Sequence, residues 1–201
     1  MIKIISCEIF KPYIESLKLE LDISYIAIEG HNYPKRLSKQ IQSEIDKCIN
    51  YEKIILLYGL CGNAILNIKA RDIPVLVVRA HDCLSILLGS KERFTKLFKD
   101  RLSAGWSCYS LEGKNISFEG YDDEEREYLE SIFHPKKDIY IRFGLVEDKH
   151  YENNYNEVIT GDLSLLKAII SNDSKELLEI NINEYLRFDE QEIIVKEKRN
   201  G

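Results

Sequence analysis

Three of the five cysteines in this chain follow short apolar segments, in positions from which their thiols can act together. Each thiol comes one to three residues after such a segment: Cys7 after residues 2–6, Cys61 after residues 53–58 and Cys83 after residues 74–80. Thiolates are soft ligands that select zinc, copper(I) or iron–sulfur clusters. If the fold brings the three sulfurs together, the sequence predicts a metal or iron–sulfur site.

The elements around these cysteines read as alternating strands and helices. The three apolar segments are short and rich in β-branched residues, as buried parallel strands are. Residues 8–21 and 35–49 place apolar side chains at helical spacing. The alternation predicts an α/β, Rossmann-like fold, with a mostly parallel sheet and helices on both faces. Ligands bind such sheets at the carboxyl ends of the strands, which lie about 4.8 Å apart, so we expect the three thiols to converge there.

The ligand set leaves two kinds of metal site open. With His81 as fourth ligand, Cys7, Cys61 and Cys83 form a Cys₃His zinc site. Without a fourth protein ligand, the three thiolates hold a [4Fe–4S] cluster with one open iron, and we favour this form. Two further cysteines lean towards structural roles, since Cys48 lies on the apolar face of a predicted helix and Cys108 lies within a predicted strand.

The loops after the second and third segments supply the other candidate site residues. Gly59 and Gly62 bracket Cys61 in a loop that can present backbone N–H groups to a cofactor or an anion. Asn63 and Arg79 are also predicted to bind the cofactor or an anionic substrate, although a salt bridge from Arg79 to Glu8 is an alternative. The candidate catalytic residues are His81, as acid–base group or metal ligand, and Asp82, which is also placed to cap the next helix.

Several blocks of the sequence resemble one family of proteins. The two most specific are YGLCGN at residues 58–63 and RAHDC at residues 79–83, followed by LLGSKER at residues 87–93. The early SCE at residues 6–8 and the later blocks at residues 105–106 and 161–166 resemble the same family, which is catalogued as domain of unknown function 1638. The resemblance implies an anaerobic setting near corrinoid-dependent methyl transfer. A corrinoid protein or a methyltransferase is therefore an expected partner, beside a small-molecule substrate.

The length predicts one α/β domain over residues 1–201. Residues 1–103 would form the core that carries the cysteine edge, and residues 104–201 would extend the sheet or form a subdomain. In the second half, residues 121–133 predict a charged helix and residues 138–144 predict a strand. The apolar positions of this half leave a homodimer open.

Composition narrows the class of protein and its compartment. The net charge of −6 argues against a nucleic-acid partner, because phosphate binding needs a basic face. No apolar run approaches the roughly 18 residues of a membrane span, so we expect no membrane association. Residues 1–10 lack the cleavage site of a signal peptide. Together with an odd number of cysteines, this predicts reduced thiols in the cytoplasm.

The sequence leaves three functions open, and with them whether the protein is an enzyme. The first is a metal or iron–sulfur protein with a redox, sulfur or small-molecule-activating role in anaerobic metabolism. The second is a metal-free enzyme in which Cys61 or Cys83 is the nucleophile and His81 the base. The third is a non-catalytic metallochaperone or sensor with the same ligands.

Overall fold

A computed structural model describes residues 1–28, 33–61, 63–101, 104–112 and 137–198. The strands in chain order are β1 (Ile2–Cys7), β2 (Asp22–Ile26), β3 (Lys53–Leu57), β4 (Val75–Val78), β5 (Trp106–Cys108), β6 (Ile139–Arg142), β7 (Glu157–Thr160), β8 (Leu177–Ile180), β9 (Glu184–Asp189) and β10 (Ile193–Lys198). The helices are α1 (Lys11–Ser16), α2 (Pro34–Lys47), α3 (Cys83–Leu87), α4 (Lys91–Phe98), α5 (Asp148–Tyr151) and α6 (Ser164–Ile170), with 3₁₀ turns at Glu8–Phe10, Ala64–Asn67 and Glu152–Asn154.

The central sheet has the strand order β2-β1-β3-β4-β8. The first four strands are parallel, and β8 pairs antiparallel with β4 at one edge. Every residue of β4 is buried, as are the last four residues of β3, because parallel strands in the middle of such a sheet are covered on both faces. The mostly parallel sheet with its helices confirms the predicted Rossmann-like α/β class.

The helices next to the sheet follow the apolar pattern with one difference in length. In α2, the proline in the first turn fits the start of a helix, and Leu37, Ile41 and Ile45 form its buried face. The predicted helix over residues 8–21 is shorter in the structure, where a 3₁₀ turn precedes α1. Lys18 adopts a positive φ of 53°, a left-handed conformation that ends the helical path.

The chain divides into two compact units, of which the first holds the central sheet. This unit comprises residues 1–93 and 163–201, and the second comprises residues 94–162. The sequence-based boundary at residues 103 and 104 falls inside the second unit. Residues 163–201 return to the first unit because β8 completes the central sheet, and β9 and β10 follow it as an antiparallel hairpin.

The second unit is built on a parallel sheet of the strands β5, β6 and β7, in that order. Cys108 in β5 and Tyr140 in β6 are fully buried in it. The predicted strand over residues 138–144 corresponds to β6, whereas the predicted helix over residues 121–133 lies outside the described residues. Within the described part of the chain, each helix is too short or too polar to cross a membrane.

Candidate functional site

The three predicted cysteines lie at the carboxyl edge of three neighbouring strands. Cys7 is the last residue of β1, Cys61 lies in the loop after β3, and Cys83 is the first residue of α3, in the connection that leaves β4. Since β1, β3 and β4 are adjacent in the sheet, their carboxyl ends meet at one edge. All three side chains are buried, with only 2–3% of their surface exposed. The order of the strands therefore brings the three cysteines to one edge of the sheet, as predicted.

The sulfur of Cys83 contacts both of the other thiols. The Sγ atoms of Cys61 and Cys83 are 3.6 Å apart, and Cys83 also hydrogen-bonds to the Cys7 side chain and to the backbone of Gly59. The hydrogen bond with Cys61 and the burial of the sulfur raise the pKa of the Cys83 thiol well above its usual range. At neutral pH, Cys83 therefore carries a proton that a metal ion must displace.

Hydrogen bonds of Cys83 link the three thiols, which do not form a closed ligand shell. Over residues 1–28, 33–61, 63–101, 104–112 and 137–198, no three Cys, His, Asp or Glu side chains have the spacing of a metal centre. None of the five cysteines, all of which lie in described residues, forms a disulfide. A metal would thus have to replace the hydrogen bonds of Cys83 with coordinate bonds, drawing the three sulfurs onto one centre.

Tyr58 is a buried polar residue beside the three thiols that sequence reasoning did not single out. Its side chain is 1% exposed, and among the described residues no group hydrogen-bonds to its hydroxyl. Burial raises the pKa of Tyr58, and ionisation of Cys7, Cys83, Cys61 or Glu8 would raise it further. A buried hydroxyl without a partner costs about 1–3 kcal/mol. The sequence signal that could have pointed to Tyr58 was a tyrosine at the end of an apolar strand, directly before a glycine.

Two loops pack backbone against backbone to bring Cys61 and Cys83 together. A Cβ atom on Gly59 would lie 2.4 Å from the Cα and carbonyl carbon of Asp82, so only glycine fits there. The Leu60 N–H donates to the Ala80 carbonyl over 3.0 Å and joins the same two loops. The close backbone approach explains the glycine at position 59, while cofactor binding by Gly59 stays a prediction and Gly62 lies outside the described residues.

The loop after β3 holds its cysteine in a sparsely populated conformation. Cys61 has a φ of 46° and Asn63 a φ of 67°, both in the left-handed region. Asparagine visits this region readily, whereas cysteine does so rarely and at a cost of about 1–2 kcal/mol. Backbone strain of this kind is concentrated at functional sites. Asn63 itself is exposed and lines a cleft of about 710 Å³ with Lys35, Arg36 and Lys39, which agrees with an anion-binding role without testing it.

The two predicted catalytic residues lie in different environments. Asp82 is the N-cap of α3, where its carboxylate accepts hydrogen bonds from the Ser85 N–H (2.8 Å) and the Ser85 hydroxyl (2.9 Å). The predicted capping role of Asp82 is therefore confirmed. His81 is exposed, and its ring lies 6.4 Å from that of Phe188 in β9. A catalytic role for either residue, and metal ligation by His81, stay predictions.

Arg79 is held by the last third of the chain. Its guanidinium pairs with Glu192 over 2.9 Å and donates to the Lys175 carbonyl over 2.6 Å, with Glu176 3.9 Å away. The alternative of a salt bridge is right in kind, but the partner is Glu192 rather than Glu8. Binding of an anionic substrate by Arg79 would have to compete with this carboxylate.

The cysteines that were expected to be structural have local partners elsewhere. The Cys48 thiol donates to the Glu44 carbonyl over 3.2 Å, and the Cys108 sulfur lies 3.2 Å from the Ser110 hydroxyl oxygen. Cys108 belongs to the second unit. Cys48 and Cys108 are therefore not part of the cluster formed by Cys7, Cys61 and Cys83.

Comparison with known proteins identifies the family but no activity. Residues 25–165, more than half of the chain, match the model of a family described as a protein of unknown function, DUF1638. The chain belongs to this family. The resemblance seen in the YGLCGN and RAHDC blocks is thereby confirmed, and the matched region contains Tyr58, Cys61 and Cys83 but not Cys7. Searches of curated proteins and of solved structures find no match.

Proposed function

We propose that Cys7, Cys61 and Cys83 are the ligands of a metal centre at the carboxyl edge of the central sheet. The observation that carries the proposal is the contact of the buried Cys83 thiol with both other thiols. Three thiolates select soft metals, as in zinc sites and iron–sulfur clusters. Three protein ligands leave one coordination position for a small-molecule substrate, which is the arrangement of catalytic zinc sites.

The sulfur geometry supports a single ion. Two thiolates on one tetrahedral zinc, with bonds of 2.3 Å, lie about 3.8 Å apart. The Cys61 and Cys83 sulfurs are already 3.6 Å apart and need little movement to reach that distance. A [4Fe–4S] cluster, the form favoured by the sequence, attaches each thiolate to its own iron and requires the sulfurs to separate. The strained loop at Cys61 is one segment that such a change would move.

His81 and Asp82 have supporting roles at the proposed centre. His81 would be the fourth ligand or a proton donor at the open position, and either role requires its exposed ring to turn from Phe188 towards the buried sulfurs. Asp82 fixes the start of α3 and so places Cys83. Its catalytic role would depend on His81 being close.

A metal-free thiol nucleophile receives less support from the same residues. Nucleophilic cysteines need a lowered pKa and some exposure. Cys83 has a raised pKa and is 3% exposed, and both properties argue against its attack on a substrate. A metallochaperone or sensor would use the same three ligands and differ only in lacking turnover.

The proposal also includes a compartment and partners for this centre. Five cysteines that form no disulfide are compatible with a reducing compartment such as the cytoplasm. A corrinoid protein or methyltransferase as partner rests on the family resemblance alone, whereas redox or sulfur chemistry on a small substrate follows from the proposed metal centre.

Anaerobic purification and reconstitution, followed by analysis of metal and acid-labile sulfide, test the centre. One metal without sulfide indicates a single ion, while iron with equal sulfide and an electron paramagnetic resonance signal on reduction indicates a cluster. We expect Cys7→Ser, Cys61→Ser and Cys83→Ser each to lower metal affinity by at least roughly 100-fold, more than the loss of an outer-shell partner.

Cys48→Ser is the matched control, because its thiol bonds to a helix carbonyl outside the cluster and its loss should leave the metal bound. The proposal fails if the reconstituted protein holds no metal and its three thiols are freely alkylated. It also fails if metal affinity falls in only one of the three variants. A metal-free thiol nucleophile instead predicts that one cysteine substitution abolishes turnover while the other two are dispensable.

A further inference from the structure

The hydroxyl of Tyr58 is a hydrogen-bond donor that the protein buries and leaves unused. Its oxygen is inaccessible to solvent and has no hydrogen-bond partner among the described residues. Buried polar groups are nearly always paired, so an orphan of this kind needs an explanation. A ligand that is bound in the working protein would supply one.

The position of Tyr58 links this hydroxyl to the cysteine cluster. Tyr58 directly follows β3 and precedes Gly59, whose backbone contacts both the Cys83 sulfur and the Asp82 backbone. In the parallel pair of β1 and β3, Ser6 pairs with Leu57, so Cys7 and Tyr58 are the next residues on the two strands. Because its ring is 1% exposed, the side chain is held by packing in this one environment.

We propose that the Tyr58 hydroxyl donates a hydrogen bond to a small anion bound at the open position of the three-thiolate centre. The inference rests on the proposed function, since the anion needs a metal to bind. Anions with lone pairs, such as hydroxide, azide, cyanide or hydrosulfide, accept the O–H and bind soft metals through another atom or lone pair. A neutral donor suits this task because it stabilises the anion without adding a charge.

The burial of the proposed centre favours a small ligand over a large one. Tyr58 is 1% exposed, and the three thiols have only 2–3% of their surface exposed. The occupant is therefore inorganic or carries only a few atoms at the metal. Any larger substrate would reach the centre through one such donor atom.

The test compares Tyr58→Phe with the unaltered protein, both loaded anaerobically with Co²⁺ and titrated with azide. Thiolate-to-cobalt charge-transfer bands report metal binding, and changes in the visible bands report azide at the open position. We expect Tyr58→Phe to raise the Kd for azide about tenfold, the effect of losing one hydrogen bond to an anion. The affinity for Co²⁺ should change less than about threefold, because the three thiols remain.

Tyr140→Phe is the matched control, since it removes a buried tyrosine hydroxyl from the second unit and should leave azide binding unchanged. Absence of thiolate bands from the unaltered protein overturns the metal centre and this inference with it. Normal bands with an unchanged Kd for azide in Tyr58→Phe overturn the inference alone. A loss of Co²⁺ affinity as large as that of Cys83→Ser also overturns it, because Tyr58 would then serve the metal site and not its anion. If reconstitution gives a [4Fe–4S] cluster, cyanide binding followed by electron paramagnetic resonance replaces azide, with the same expected ratio.

Discussion

The two units of the chain each bury a cysteine and a tyrosine at a parallel sheet, yet the hydrogen-bond partners of these polar side chains differ. In the second unit, the Tyr140 hydroxyl donates to Asp148 over 2.9 Å, and Asp148 also accepts from the Phe143 and Leu145 N–H groups. Cys108 lies against Ser110. In the first unit, Tyr58 has no partner among the described residues, and the Cys83 thiol bonds to other thiols.

The contrast separates a structural polar core from a candidate binding site. A satisfied network rigidifies the structure around it and has no capacity left for a ligand. The cluster in the first unit keeps an unused donor and three soft sulfurs, which are the groups that a metal and its ligand would occupy. Burial of polar residues alone does not distinguish the two cases, whereas their hydrogen-bond partners do.

The largest expected effect is on the loops that hold the cysteines. Gly59→Ala places a Cβ atom 2.4 Å from the Asp82 backbone, which cannot move aside as a flexible side chain would. We expect a loss of about 3 kcal/mol in the free energy of unfolding, measured by urea denaturation, together with loss of metal binding. Gly144→Ala is the control, because its Cβ meets open space and only the positive φ of 78° opposes it, at about 1 kcal/mol. Equal losses in the two variants would remove the steric argument.

A smaller effect separates the two tyrosines directly. Tyr140→Phe removes a hydrogen bond to a buried carboxylate and should lower the free energy of unfolding of the metal-free protein by about 2 kcal/mol. Tyr58→Phe removes a hydroxyl without a partner and should leave that free energy unchanged or slightly higher. Denaturant unfolding of both variants at pH 7 measures the difference. A similar loss in both would mean that Tyr58 is satisfied in solution and that the contrast between the units is wrong.

The smallest effect appears in alkaline solution. Burial, followed by the hydrogen bond with Asp148, raises the pKa of Tyr140 above the ordinary value of 10.0. Above about pH 10 the unfolded chain releases this proton while the folded chain keeps it, so stability falls with rising pH, by up to about 1.4 kcal/mol per pH unit. Tyr140→Phe should flatten this decline in unfolding curves recorded from pH 9 to pH 11. An unaltered slope in the variant would show that Tyr140 does not control it.

The sequence was sufficient for the part of the fold that local patterns determine. The apolar segments before Cys7, Cys61 and Cys83 became β1, β3 and β4, and parallel pairing placed the cysteines at one edge as predicted. Strand order carries this result, because alternating strands and helices restrict the topology of the sheet. The cysteine edge was therefore accessible to reasoning from spacing alone.

Contacts between distant parts of the chain could not be predicted from local sequence patterns. Glu192 holds Arg79 from 113 positions away, and no local pattern connects the two residues. The strands β8 and β9 carry exposed or charged residues, so they lack the apolar signal of β3 and β4. Tyr58 was overlooked because an apolar strand ending in tyrosine looks like ordinary core. Its significance lies in a missing hydrogen bond, which only coordinates reveal.

The division of the first unit into residues 1–93 and 163–201 has a consequence for synthesis on the ribosome. The strand β4 emerges early, but its antiparallel neighbour β8 follows only after the entire second unit has been made. Until then, one edge of the nascent sheet offers unpaired backbone groups to other chains. Pairing of β8 with β4 also costs the entropy of closing a long loop. Folding of the inserted unit lowers this cost because it shortens the flexible part of the loop. Early folding of residues 94–162 would therefore protect the growing chain from aggregation and speed the completion of the sheet.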